Sequence, residues 1–417
     1  MNSRIQKFLF IIVDLRGKIP MKKNRDLWAI LVIIILTLII IMTSNKLFNS
    51  SKGERNAKKG MSYEVAKVLE VNDEKISKSP LIPKIYIGEQ QIKLEILTGQ
   101  YAHQQFEIKN SMSMLYSVHT KVGMKVIVSF NINQNEVTNL SVYTYKRNTV
   151  VYWMIAIFFA LLIFVGRKKG LRSVISIVFS IVVIFYFMLP SILNGLSPII
   201  AATLSATLII IVGLIIIGGL NSKTYSAILG TIFGVIIAGI ASYIFGSLAH
   251  LSGLTAEYTE NLIVIAQSSK LNIKGLMYAV ILISSLGAIM DIGISIASAI
   301  FEIHNVNPKL SKKQLFNSGM NMGKDMIGTM SNTLILAFAG TSFTLLIIIA
   351  KAEMSYIQLS NLDIVCTEII QGIAGSIAIV ITVPLTALVS VLFIERSIAN
   401  NKLKTEMKKV KNKSNAS

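Results

Sequence analysis

The chain has little of what most soluble enzymes use for chemistry. In 417 residues there are one cysteine (Cys366), four histidines, two tryptophans and only 21 acidic side chains. A single cysteine excludes an internal disulfide. Isolated histidines such as His103 and His119, with no nearby thiolate or carboxylate spacing, make no metal site, and no cofactor is expected. No Gly-x-x-x-x-Gly-Lys-Ser/Thr run is present, so any ATP-driven step would need a separate subunit. Charged residues amount to 15%, whereas 53% are hydrophobic and the mean hydropathy is +0.63. The formal charge of +20 invites a nucleic-acid reading. The basic residues, however, gather at the ends of hydrophobic runs and in the tails, with no aromatic-interleaved basic face. That is the distribution that orients membrane proteins, so the expected partner is the lipid bilayer and not nucleic acid.

Several hydrophobic runs approach or exceed the roughly 20 residues a helix needs to cross a bilayer. Eight spans are expected, at 27–43, 150–166, 172–189, 198–217, 226–248, 275–301, 327–350 and 370–394. The six-residue stretch Phe8–Val13 is too short to span. Leu27–Thr43 has no small-x-small cleavage site and reads as a retained anchor. With eight spans, the basic N-terminal tail, the Arg167–Arg172 loop, Lys223, the Lys309–Lys324 segment and the basic C-terminal tail all fall on one side. By the positive-inside rule both termini are then cytoplasmic. The expected fold is an all-α polytopic membrane bundle of about eight transmembrane helices, with a small extracytoplasmic β domain between spans one and two. Its segments are a cytoplasmic tail (1–26), an anchor (27–46), the β domain (47–148), a seven-span bundle (149–395) and a second cytoplasmic tail (396–417).

The β domain is expected from short alternating runs at 64–71, 84–87, 91–97, 125–132 and 137–145, which suit a small antiparallel barrel or sandwich, a packing or docking module in the first reading and a ligand-binding one in the second. Span five carries a small residue at every fourth position: Ser226, Gly230, Gly234, Ala238, Ser242 and Gly246. Such a stripe lets another helix backbone approach closely, within the chain or across a dimer. Pro384 inside span eight is expected to kink it.

Span six contains the costliest residue. Asp291 lies inside GLMYAVILISSLGAIMDIGISIASAIF (275–301), and a carboxylate at mid-membrane costs about 2.5–3.5 kcal/mol on insertion scales. It belongs to a stripe of Ser284, Gly287, Asp291, Ser295, Ser298 and Glu302, whose spacings of three and four keep one helix face. A second stripe, Ser318, Asn321, Asp325, Gly328 and Asn332, opens span seven. If spans six and seven lie antiparallel with Glu302 level with Asp325, the two stripes face each other as a hydrophilic column. Asp291 would then sit roughly 16 Å above Glu302. The chemistry to expect is a cation or proton relay through Asp291, Asp325 and Asn332, with Glu302, Ser295 and Asn321 along the route. Two competing arrangements make Asp291 polar glue, hydrogen-bonded to Asn332, Ser295 or Thr329, or pair it with Lys324. Intramembrane aspartyl proteolysis needs a Gly-x-Gly-Asp and a Pro-Ala-Leu, and neither is present, so no enzymatic activity is expected.

The segments GAIMDIGISIASAIFEI (287–303), SGMNMGKDMIGTMSNTLILAFAG (318–340), VPLTA (383–387), GLNSKTYSAILGTIFG (219–234) and RKKGLRS (167–173) resemble the YibE/F family of bacterial membrane proteins. The resemblance implies a multi-pass protein of the bacterial cytoplasmic membrane and carries no substrate with it. The order of anchor, external domain and Asp-bearing bundle is also similar, as an analogy, to RND-type half units such as SecF. Two functions follow. One is an ion-coupled transporter or permease whose coupling cation is a proton or sodium. The other is a non-transporting assembly or regulatory factor whose external domain binds a partner membrane protein or a second copy.

Overall fold

A computed structural model describes residues 32–33, 35–44, 61–114, 116–133, 136–253, 263–264 and 271–414. The basic tail 1–26 with Phe8–Val13, the start of the anchor, residues 47–60 of the expected β domain and the last three residues lie outside the described residues. The chain forms two compact units, one of residues 49–165 and one of residues 1–48 with 166–417.

In the first unit β1 (Met61–Lys78), β2 (Tyr86–Ile96), β3 (Gln105–Met112), β4 (Lys125–Asn133) and β5 (Glu136–Tyr145) form one antiparallel sheet in the order β3-β2-β1-β4-β5. Alternation builds its core. Ile92, Leu94 and Ile96 of β2 are buried while Lys93 and Glu95 between them are half-exposed. Ala66, Val68, Val126, Val128, Phe130 and Tyr101 complete the same cluster. Bulges interrupt β1 between Val68 and Glu70 and between Asn72 and Lys75, and such bulges add bend and twist. The edge strands β3 and β5 approach each other, so the sheet curls into half a barrel. The expected runs at 84–87 and 91–97 are thus one strand. β3 escaped notice because Asn110, a polar residue, occupies an inward position in its row.

That inward Asn110 belongs to a closed polar cluster around Gln90, whose side chain is fully buried. Gln90 Nε2 donates to Asp73 Oδ1 (2.6 Å) and to the Thr120 carbonyl (3.0 Å). Its Oε1 accepts from Asn110 Nδ2 (3.1 Å), Thr120 N (3.0 Å) and Thr120 Oγ1 (3.0 Å). His119 stacks on Tyr86 at 4.1 Å beside this cluster, and no metal-holding group of side chains is found among the described residues.

The helical part comprises α1 (Ile35–Ser44), α2 (Asn148–Val183), a π-helical turn (Ile184–Met188), α3 (Leu189–Leu193), α4 (Pro198–Gly218), α5 (Ser222–Leu248), α6 (Ile273–Val306), α7 (Lys312–Thr341), α8 (Phe343–Lys351), α9 (Tyr356–Ser360) and α10 (Asp363–Ser414). α2 crosses the boundary between the units and is broken at Arg167, whose φ of 47° leaves the helical region. Local chemistry sets several ends. Pro198 opens α4, Gly219 ends it at φ 76°, and Asn221 caps α5 by accepting from Thr224 N. Ser311 and Gln314 form a capping box at the start of α7.

Among the described residues five helical stretches are long and apolar enough to cross a membrane, or six if α7 and α8, bent by 64°, count as one. The expected count of about eight is therefore not reached among the described residues. Expected spans two and three run together in Asn148–Leu193, span seven is bent at Ser342, and the anchor is represented by the short α1. Pro384 lies inside the continuous α10.

Close contacts within the second unit fix helix directions. A Cβ added at Gly230 would lie 2.9 Å from Thr386 Cα, and one at Gly234 would meet Thr382, so α5 and α10 run antiparallel. α6 runs parallel to α10, with Thr367 against Met277 and Gln371 against Ser284. All six members of the small-residue stripe on α5 are buried, which makes the stripe an internal packing surface. At one end of the unit Ser252 N donates to Asp363 Oδ2 (3.2 Å), and at the other Lys312 pairs with Glu395. The α7–α8 pair thus begins at one end of the bundle, and α10 starts at the opposite end.

Candidate functional site

Helix α6 has two contrasting faces. Ile289, Ile292, Ile296 and Ile300, at helical spacing, are completely buried. The opposite side carries the polar stripe: Ser284, Gly287, Asp291 and Glu302 are exposed, and Ser295 and Ser298 are half-buried. A Cβ added at Gly287 would meet nothing within 4 Å. Among the described residues Asp291 has no hydrogen-bond or ion-pair partner. Thr329 Oγ1 donates instead to the Met326 carbonyl (3.0 Å), and neither Asn332, Ser295 nor Lys324 bonds to the carboxylate. The glue and lysine-pair arrangements are therefore not the ones formed.

Helix α7 repeats the pattern. Leu315, Gly319, Gly323 and Leu334 are buried, whereas Asn321, Asp325, Gly328 and Asn332 are exposed. The two glycines make the contact. A Cβ at Gly319 would come 2.8 Å from Ile300 Cγ1, and one at Gly323 would come 3.2 Å from Ile296 Cδ1. Further along, Leu334 and Ser285 meet at Gly375. Spans six and seven are antiparallel, as expected, but in a different register. Gly328 is level with Asp291, Asp325 with Ile294, and Asn332 with Gly287. Glu302 is not level with Asp325. The two aspartates lie instead about three residues apart along the axis, roughly 4.5 Å.

The stripes also do not face each other across the helix contact. The sides that meet are Ile296 and Ile300 against Gly319 and Gly323, two small residues four apart that also make room for Val383 and Ala387 of α10. Met322, one residue from Asn321, lines the same cleft as Ser295 and Ser298. The pattern that foretells this contact is Gly319-Met320-Asn321-Met322-Gly323, a small-xxx-small motif embedded in the polar segment.

That cleft, of about 770 Å³, is the second element of the site. α6 contributes Ser295, Ser298, Glu302 and Asn305, and the start of α5 contributes Asn221, Ser222 and Lys223. Of the expected site residues it gathers Ser295 and Glu302, while Asp291, Asp325, Asn332 and Asn321 are not among its lining residues. Sequence reasoning missed Asn221, Lys223 and Asn305. Asn221 carries a legible signal as the capping residue between Gly219 and the apolar run of α5. Asn305 sits one turn beyond the end of the Asp291 stripe.

Residues 154–396 match the model of the YibE/F-like protein, and residues 61–145 match that of the YibE/F family N-terminal domain. The second match coincides with the five-stranded sheet, which the sequence motifs alone tied to the family only by its placement. No curated protein and no solved structure matches the chain. Helices and β unit together carry one family's signature, and the chain belongs to the YibE/F family.

Proposed function

We propose that the protein is an ion-coupled transporter of the bacterial cytoplasmic membrane, with Asp291 and Asp325 as the carboxylates that bind and release the coupling cation, a proton or sodium. The observation that carries this reading is the placement of two exposed aspartates, without partners among the described residues, within about one helical turn of each other in level on two antiparallel, directly packed helices. Asn332 and Asn321 supply neutral oxygens on the same face of α7, and Ser295 lies one turn from Asp291 toward the cleft.

An eight-span arrangement with both termini cytoplasmic accompanies this proposal. Asn148–Leu193 is 46 residues long, or roughly 69 Å as helix, against a hydrocarbon core of about 30 Å. The break at Arg167, beside Lys168 and Lys169, divides it into two spans. The bent α7–α8 pair counts as one crossing, because the Lys312–Glu395 pair and the Ser252–Asp363 bonds mark opposite ends of the bundle. α1 marks the anchor. In this arrangement Lys223, Lys309, Lys312 and Lys313 lie at the cytoplasmic end.

The test is proton and sodium exchange by purified protein in liposomes, read with a trapped pH dye and with radioactive sodium. Wild-type protein is expected to exchange one of the two ions. Asp291→Asn should insert and fold normally and exchange neither, and full exchange by that variant would overturn the assignment. The open polar face also favours a second reading, in which a partner membrane protein covers it and the chain is an assembly or regulatory factor. Under that reading wild-type protein exchanges no ions, and exchange of residues 47–147 for another family member's domain abolishes biological activity.

A further inference from the structure

The cleft between α5 and α6 holds opposite charges that do not pair. Lys223 is half-buried and Glu302 is exposed in the same cavity of about 770 Å³, yet neither forms an ion pair among the described residues. Partly burying a lysine without a counter-ion is unfavourable, and the nearby glutamate would relieve it if the two were meant to neutralise each other. Held apart, they leave a cationic pole at the α5 side and an anionic pole at the α6 side. The neutral groups reinforce each pole. Asn221 occupies its own Oδ1 in capping Thr224, so the backbone N–H groups of Ser222 and Lys223 remain as donors beside the lysine. On α6, Ser298 and Asn305 offer oxygens beside the glutamate. The remaining lining residues, Ile294, Ala299, Phe301 and Met322, are apolar. The size lies within the usual range of small-molecule sites, about 300–1,000 Å³.

We propose that this cleft binds a small zwitterion, an α-amino acid with an apolar side chain. Its carboxylate meets Lys223 and the start of α5, and its ammonium meets Glu302, Ser298 and Asn305. The side chain lies on Phe301 and Met322. As the substrate site of a transporter the cleft rests on the function proposed above, and its position one turn from Asp291 through Ser295 gives solute and coupling ion a common helix.

The experiment is equilibrium binding of radiolabelled L-leucine to the full-length protein in lipid nanodiscs with no ion gradient, competed by 4-methylpentanoate and 3-methylbutylamine. These analogues keep the side chain and lack the ammonium or the carboxylate, respectively. Wild-type protein is expected to bind leucine saturably and to prefer it over each analogue by about tenfold or more, the worth of one charge-assisted hydrogen bond. Glu302→Gln should erase the preference over 4-methylpentanoate and keep the other, and Lys223→Gln should do the reverse. Absence of saturable binding, equal competition by either analogue, or variants that retain both preferences would overturn the proposal. If either variant fails to fold, the wild-type comparison of the three ligands decides alone. Because binding is read without a gradient, failure of coupling at Asp291 leaves this result standing, and failure of leucine to bind leaves the ion-exchange test standing.

Discussion

Gln90 interrupts the apolar row of a strand and Asp291 lies on the polar stripe of a largely apolar helix, and the protein treats the two in opposite ways. Gln90, fully buried in the sheet, has both ends of its amide satisfied by five hydrogen bonds, donating to Asp73 and the Thr120 carbonyl and accepting from Asn110 and Thr120. Asp291, on a helix of the apolar bundle, has none among the described residues and stands on a face where a Cβ added at Gly287 would meet nothing within 4 Å. A polar group kept for structure is enclosed and saturated, since an unsatisfied buried donor or acceptor costs about 1–3 kcal/mol. A polar group kept for exchange with a mobile ion must stay accessible. The same division runs through the bundle, where the closed side of α5 is locked against Thr382 and Thr386 and the open side of α6 and α7 is not.

The largest expected effect contrasts those two sides with one substitution each. At Gly230 a Cβ alone would approach the Thr386 backbone to 2.9 Å, so Gly230→Val should abolish folded protein. At Gly328, where nothing lies within 4 Å, Gly328→Ala should leave the folded fraction unchanged or raise it, through better helix propensity of about 1 kcal/mol. Size-exclusion chromatography of the two variants in detergent checks both. Equal yields would mean that the open and closed sides are not distinct. The next effect lies in the β unit. Gln90→Leu leaves the Thr120 hydroxyl and amide without their acceptor, while Asn110 keeps its bond to the Val118 carbonyl and Asp73 its pairing with His119, and should destabilise the sheet by about 1–3 kcal/mol. Hydrogen exchange of β2 and β3 amides in the full-length chain would register it, and unchanged protection would show that the cluster is dispensable.

How much of this was legible in advance depends on whether a feature is local. The stripes through Asp291 and Asp325 follow from periodicity on a single helix, and each does form one face. The small residues of α5 likewise announce a close contact, and all six are buried. The register between α6 and α7 was not legible from the carboxylates. It is set by Gly319 and Gly323, which are two turns or less from Asp325 but on the other side of the helix. Matching acids by level brought Glu302 beside Asp325, when the helices match glycine to isoleucine. The cleft was hidden for a different reason. It joins Lys223 to Glu302 across 79 positions of chain, and no periodicity links a helix-capping turn to a distant helix face. The β3 strand was obscured by Asn110, whose inward position makes sense only once Gln90 is known to be buried opposite it.

The smallest expected change in stability is at the carboxylates themselves, and it is the sharpest test of the contrast. Asp291→Asn and Asp325→Asn remove charge without removing a hydrogen bond that the described residues make. If the open side is kept for a mobile ion, both variants should melt at the wild-type temperature in detergent, or slightly above it, because each removes a costly charge from an apolar helix. Gln90→Leu measured alongside should lower it. A clear loss of stability in Asp291→Asn would mean that the carboxylate holds a partner in the assembled protein, which would make it glue of the same kind as Gln90. A wild-type melting temperature together with lost ion exchange is the combination that a structural role cannot produce, since structure would then be intact while the one property that depends on an accessible charge is gone.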